Sequence, residues 1–151
     1  MTAPAQVEDT VTLLQRLTQV NIDSRESLVE AAEQVEAGAL ANSLRAVAAQ
    51  RNDQAVELGS HLAQHGVEPA TTPTFVNVLQ QTWLDIRAAF GGGTATILSE
   101  LERAEDSVRN AYEDALRHPN LGGLSEVIYR HHAAVKASHD GIRAMRDGWT
   151  G

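Results

Sequence analysis

The chain has 151 residues, a formal charge of −8 from 12 basic and 20 acidic side chains, 42% hydrophobic residues, 4% aromatics and no cysteine. That length can bury well over half of its unfolded surface, so residues 1–151 read as a single domain. The missing cysteines exclude disulfides, thiolate nucleophiles and thiolate metal sites, and the acidic balance, with Lys136 the one lysine, argues against nucleic acid and anionic membranes as partners.

At the start, Met1 to Thr12 lacks the basic and apolar regions of a secretory leader, and no later stretch approaches the ~20 apolar residues of a membrane span. The expected location is the cytoplasm. Prolines at 4, 69, 73 and 119 and glycines at 38, 59, 66, 91–93 and 122–123 divide the rest into five stretches of helical period. Helix A is expected over 5–36, with Val7, Leu14, Leu17, Leu28, Ala32 and Val35 as its apolar stripe. Helix B follows over 40–65 with Leu44, Val47, Ala55, Leu58 and Leu62. A shorter linker helix over 74–90 carries Phe75, Leu79, Trp83, Ile86 and Phe90. Helix C, over 94–118, presents Ile97, Leu101, Val108, Tyr112 and Ala115, and helix D, over 124–147, presents Leu124, Ile128, Val135 and Ile142.

Four stripes of similar length predict an all-α four-helix bundle. The short A–B and C–D connections make two antiparallel hairpins. The long B–C stretch predicts a helical crossover with B and C parallel, the connectivity of ferritin-like bundles. Trp83 and Phe90 are expected to be buried against the bundle or a second copy, because isolated large aromatics are unfavourable in water. The polar face of the linker helix (Gln80, Gln81, Asp85, Arg87) lacks the lysines of an interfacial membrane helix.

The stripes are interrupted by polar residues. Asn21 falls at the centre of helix A's stripe, flanked by Ser24 and Arg25, and Arg51 at the centre of helix B's. Glu105 on C and His139 on D lie about 40° from theirs. All sit near helix midpoints, so one polar core layer of Asn21, Arg25, Arg51, Glu105 and His139 is expected. A dinuclear iron or manganese site at that level needs a Glu on each of two helices and Glu-x-x-His on the other two. The chain has no Glu-x-x-His, and Arg25 and Arg51 would repel a dication. An ion-paired layer, with Arg51 bound to Glu105 first and Glu102 second, and no cofactor is therefore expected. The alternative is an altered iron or manganese site around Glu105 and His139, with acids such as Glu30 or Glu102.

Asp23 followed by Glu30-Ala31-Ala32-Glu33, then Gln50-Arg51, Glu102-Arg103-Ala104-Glu105-Asp106, Tyr112-Glu113-Asp114-Ala115-Leu116 and Val135-Lys136-Ala137-Ser138-His139-Asp140 recur in this order. Together they resemble a bacterial family of ferritin-like four-helix-bundle proteins known only as a domain of unknown function. The likeness runs from about Val11 to Asp147 and departs at Ser24 and Ala104, where the family carries glycine. It implies the bundle and the crossover, and no activity or ligand.

Other groupings read more plainly. Glu57, His61 and His65 stand at successive i,i+4 positions, a spacing that can chelate a metal, but two histidines on one helix fall short of a closed site, and His65 before Gly66 suits a helix C-terminus. His118, His131 and His132 fall near the same end of the bundle as that trio if C and D pair as a hairpin, but all of these read as adventitious or surface histidines. Glu100 and Glu102 are expected to point to solvent. Gly91-Gly92-Gly93 lacks the lysine of a phosphate loop. No spacing marks a nucleophile, so an enzyme is not expected. Three readings follow: a non-catalytic, stress-associated binding or scaffold bundle forming a homo-oligomer; a metal-binding or ferroxidase-like protein; and a module that docks a protein partner through Trp83 and Phe90.

Overall fold

The structure, a computed structural model, describes residues 3–35, 38–70, 88, 92–119 and 121–149. They form four helices, α1 (Ala3–Gln34), α2 (Gly38–Gln64), α3 (Thr94–Leu116) and α4 (Leu124–Gly148), with no strand among the described residues. Apart from residue 88, the linker helix expected over 74–90, with Trp83 and Phe90, lies outside the described residues. No described helix is long and apolar enough to cross a membrane.

Backbone chemistry explains the end of α2. The Gly66 N–H donates to Ala63 O and the Val67 N–H to Leu62 O, both at 3.0 Å, which satisfies the last carbonyls in a Schellman pair. Gly66 sits at φ +73°, a left-handed conformation that a Cβ disfavours. Val67 then folds back onto the apolar cluster that contains Leu62.

The expected stripes are buried, with two exceptions. Leu14, Leu17 and Leu28 of α1, Leu44, Leu58 and Leu62 of α2, Ile97, Leu101 and Val108 of α3, and Ile128, Val135 and Ile142 of α4 all lie in the core. Val47 is only partly buried, and Ala48 takes the core position beside it. The positions 44, 48, 51, 55, 58 and 62 keep a spacing of four and three, and Val47 is one residue out of phase. Val7 lies where only the backbone is described.

Two clusters divide the core and set the helix directions. One joins Leu28 late in α1 and Val35 just past its end, Leu40 and Leu44 early in α2, Ile97 and Leu101 early in α3, and Ile142 late in α4. The other joins Leu14 and Leu17 early in α1, Leu58 and Leu62 late in α2, Val108 and Tyr112 late in α3, and Ile128 early in α4. Helices α1 and α4 therefore run one way and α2 and α3 the other, the parallel B–C order inferred from the long connection. The hairpins are α1–α2 and α3–α4; α1 also packs on α3 and α2 on α4, which leaves α2 and α3 facing across the bundle diagonal. Each fully buried Leu or Ile contributes about 1.5–3 kcal/mol, so these clusters, more than helix propensity, hold the helices in place.

Candidate functional site

The polar residues of the core occupy two levels, not one. The first lies between the two apolar clusters. Arg51, three residues after Ala48 and four before Ala55, points at the bundle axis and is fully buried. Its Nη2 donates to both Oε1 and Oε2 of Glu105 at 3.0 Å, across the diagonal to α3, and to Ser138 Oγ on α4. Its Nη1 donates to Gln50 Oε1 at 3.0 Å and Gln54 Oε1 at 3.3 Å. Glu105 is 1% exposed, so both charges sit in a low dielectric, where only mutual pairing makes them tolerable.

Beside this pair, His139 is fully buried and turns toward α3. Its Nε2 lies 2.8 Å from Asp106 Oδ1 without the alignment of a hydrogen bond, and its Nδ1 bonds Asp140 Oδ1 at 3.2 Å. That bond holds the Asp140 carboxyl below its usual range. One helical turn before Asp106, Glu102 departs from its expected solvent-facing position and is 8% exposed. Arg143 Nε reaches its Oε1 at 3.0 Å, and Arg146 Nη1 binds its Oε2. The reason is that α3 packs against both α1 and α4, so its buried face is wider than one stripe.

The second level lies seven residues further along α3, about 10 Å away at helical rise. Asn21 Nδ2 donates to Leu17 O at 2.8 Å and to the Tyr112 hydroxyl at 2.7 Å. The hydroxyl lies 2.9 Å from His131 Nδ1, and His131 Nε2 lies 2.7 Å from Glu57 Oε1. Arg130 closes the chain with a two-pronged pair to Glu57, at 3.0 and 2.6 Å. One continuous line thus crosses α1, α3, α4 and α2. Burial pushes the Tyr112 phenol up and the His131 imidazole down, the latter against the opposing bond to Glu57. The Arg130 bond, aided by His131 and opposed by burial, holds the Glu57 carboxyl down at about 2.

Asn21 therefore belongs with Tyr112 and not with Glu105. Arg25 leaves the layer altogether: half-buried, it donates from Nη1 to Asn52 Oδ1 at 2.9 Å. Four residues past Asn21, it is turned about 40° from the stripe centre and serves the α1–α2 flank. The Glu57, His61, His65 trio does not act as a unit either. Glu57 engages α4, His61 is half-buried, and exposed His65 places Nδ1 3.3 Å from the His61 carbonyl at the helix end. His131 is a core residue and not a surface one, whereas its neighbour His132 pairs with Glu113 at 3.1 Å.

Sequence reasoning brought His131 toward the Glu57 end of the bundle but as a surface histidine, and passed over Tyr112 as a polar group. His131 stands three residues after Ile128 and four before Val135, spacing equivalent to that which singled out His139 between Val135 and Ile142. Tyr112 was counted as apolar, and nothing in its helical phase distinguishes a hydroxyl that finds a partner from one that does not.

The donor set does not fit a di-metal centre. Both oxygens of Glu105 face one guanidinium, both of Glu102 face Arg143 and Arg146, and a fixed cation stands where carboxylates would have to offset metal charge. Among the described residues, no group of three or more His, Asp or Glu side chains is arranged to hold a metal ion.

None of the curated proteins compared with the chain matches it significantly. A family model described as Domain of unknown function (DUF2383) matches residues 9–118, more than two thirds of the chain. The match takes in Asn21, Arg51, Glu57, Glu105 and Tyr112, while α4, with His131, Ser138 and His139, lies beyond it. On that extent of match, the chain belongs to the DUF2383 family.

Proposed function

We propose that this chain is a ferritin-like four-helix bundle that works without catalysis, as a self-associating binding or scaffold protein, and that an ion-paired layer replaces the di-metal centre of its catalytic counterparts. The carrying observation is Arg51, fully buried and bonded across the diagonal to Glu105. A guanidinium is permanently charged and cannot ligate a cation, so it supplies internally the positive charge that a carboxylate-rich core otherwise takes from metal. The parallel order of α2 and α3 supports the ferritin-like reading, since that connectivity is typical of such bundles.

Elemental analysis tests this on full-length protein expressed with iron, manganese and zinc in the medium and purified at neutral pH. The expected result is well below one metal per chain, and light scattering should report an oligomer. Stoichiometric iron or manganese in the wild type would overturn the reading in favour of the altered site around Glu105 and His139. A monomer at all concentrations would remove the scaffold part of it.

A further inference from the structure

The direction of every hydrogen bond in the Asn21–Tyr112–His131–Glu57 line is determined by its two ends. At the α1 end, Leu17 O can only accept, so the group beside it is the Asn21 amide nitrogen, which also donates to the Tyr112 oxygen. The Tyr112 hydroxyl proton is then free to point at His131 Nδ1. At the α2 end, the ionised Glu57 carboxylate can only accept, so His131 Nε2 must carry the proton it shares with Glu57. A neutral imidazole protonated at Nε2 satisfies both ring nitrogens and the Tyr112 hydroxyl hydrogen together. A proton added from solvent at Nδ1 would meet the Tyr112 O–H head-on. The phenol oxygen would then have to accept from both Asn21 and His131 and redirect its own hydrogen inside a closed core.

The place of this line matters as much as its direction. Of the four neighbouring helix pairs, α2 and α4 approach each other least closely. Their seam is bridged by long polar side chains: Arg51 to Ser138, and Glu57 to Arg130 and His131. The charged or titratable groups facing His131 are Glu57 and Arg51 from α2, Tyr112 from α3 and Arg130 on its own helix; the α1 contribution, through Asn21, is uncharged.

We propose that this line is an acid-sensitive latch on the α2–α4 seam: it seats the His131 ring in the core and keeps the seam closed while the ring is neutral, and uptake of a proton at Nδ1 breaks the bond from Tyr112, so that the charged ring, still bound to the half-exposed Glu57, moves outward and parts the seam. The Glu57 carboxylate attracts that proton, but burial of the ring opposes it and prevails. Each unit by which the closed state depresses the midpoint is a tenfold shift toward the open state once His131 is protonated.

The test is carried out on the full chain by NMR titration of the His131 ring and by amide exchange, corrected for its intrinsic pH dependence. At pH 7 the ring should be neutral with its proton on Nε2, its midpoint should lie below the ordinary histidine value, and exchange in residues 127–138 should accelerate about tenfold per unit of depression as the ring titrates. His131→Gln can accept from Tyr112 and donate to Glu57 but cannot take up a proton, so its exchange there should lose the acid response. Tyr112→Phe removes the opposing hydroxyl and should raise the His131 midpoint. A wild-type midpoint at or above the ordinary value overturns the proposal, even if neither variant folds. So does seam exchange that stays flat through the titration, or a His131→Gln protein that opens with acid as the wild type does.

Discussion

Arg51 and Glu105 are each worth little to stability as a pair and a great deal as single survivors. Removing one partner strands a charge in a low dielectric, whereas removing both strands none. Arg51→Met or Glu105→Gln alone should cost about 3–5 kcal/mol, and the double variant clearly less than the sum, read from denaturant midpoints in a double-mutant cycle. Additive effects would show that the two side chains do not depend on each other. The pairing itself was legible from helical phase, because Arg51 and Glu105 fall on apolar stripes near helix midpoints. The partners Ser138, Gln50 and Gln54 were not, since they lie off the stripes and join through the reach of one long guanidinium.

Among the elements, the C-terminus of α2 is the clearest case of local sequence dictating structure. Gly66→Ala places a Cβ at φ +73° with nothing within 4 Å of it, so the cost is conformational alone. It should destabilise by about 1–2 kcal/mol, lowering the melting temperature by about 2–4 °C per kcal/mol. An unchanged melting temperature would mean that the chain leaves α2 by another turn. The same logic made all four described helices readable from Gly and Pro spacing and apolar period. The broad buried face of α3 was not readable, because whether Glu102 is covered depends on Arg143 and Arg146 arriving from α4.

At the scale of the whole molecule, proton linkage should shape stability in two steps. His131 has its folded pKa depressed by burial, so below the ordinary value of 6.5 the unfolded chain takes up a proton that the folded one resists, and stability falls with pH from there down through the folded midpoint. Glu57, held at about 2 against an ordinary 4.5, adds stability that is present above 4.5 and is lost as pH falls toward 2. Its side chain is 35% exposed, so solvent weakens this second step. Denaturant midpoints from pH 8 to 3 should decline in that order, and His131→Gln should flatten the first decline and keep the second. A profile unchanged by His131→Gln would show that another group causes the loss between neutral pH and 5.

By itself the sequence determined the helices, their buried faces, the parallel order of α2 and α3, and the presence of a paired charge at the bundle centre. Each of these follows from period, punctuation or the cost of an unpaired buried charge, all properties of one segment or of connection length. Only the tertiary structure decided that the polar core has two levels, that Arg25 leaves it for Asn52, and that Tyr112, His131 and Glu57 form one directed line. Those outcomes depend on axial register between helices distant in sequence. A shift of one turn, which no local pattern encodes, would have put different side chains within the 3 Å that a hydrogen bond requires.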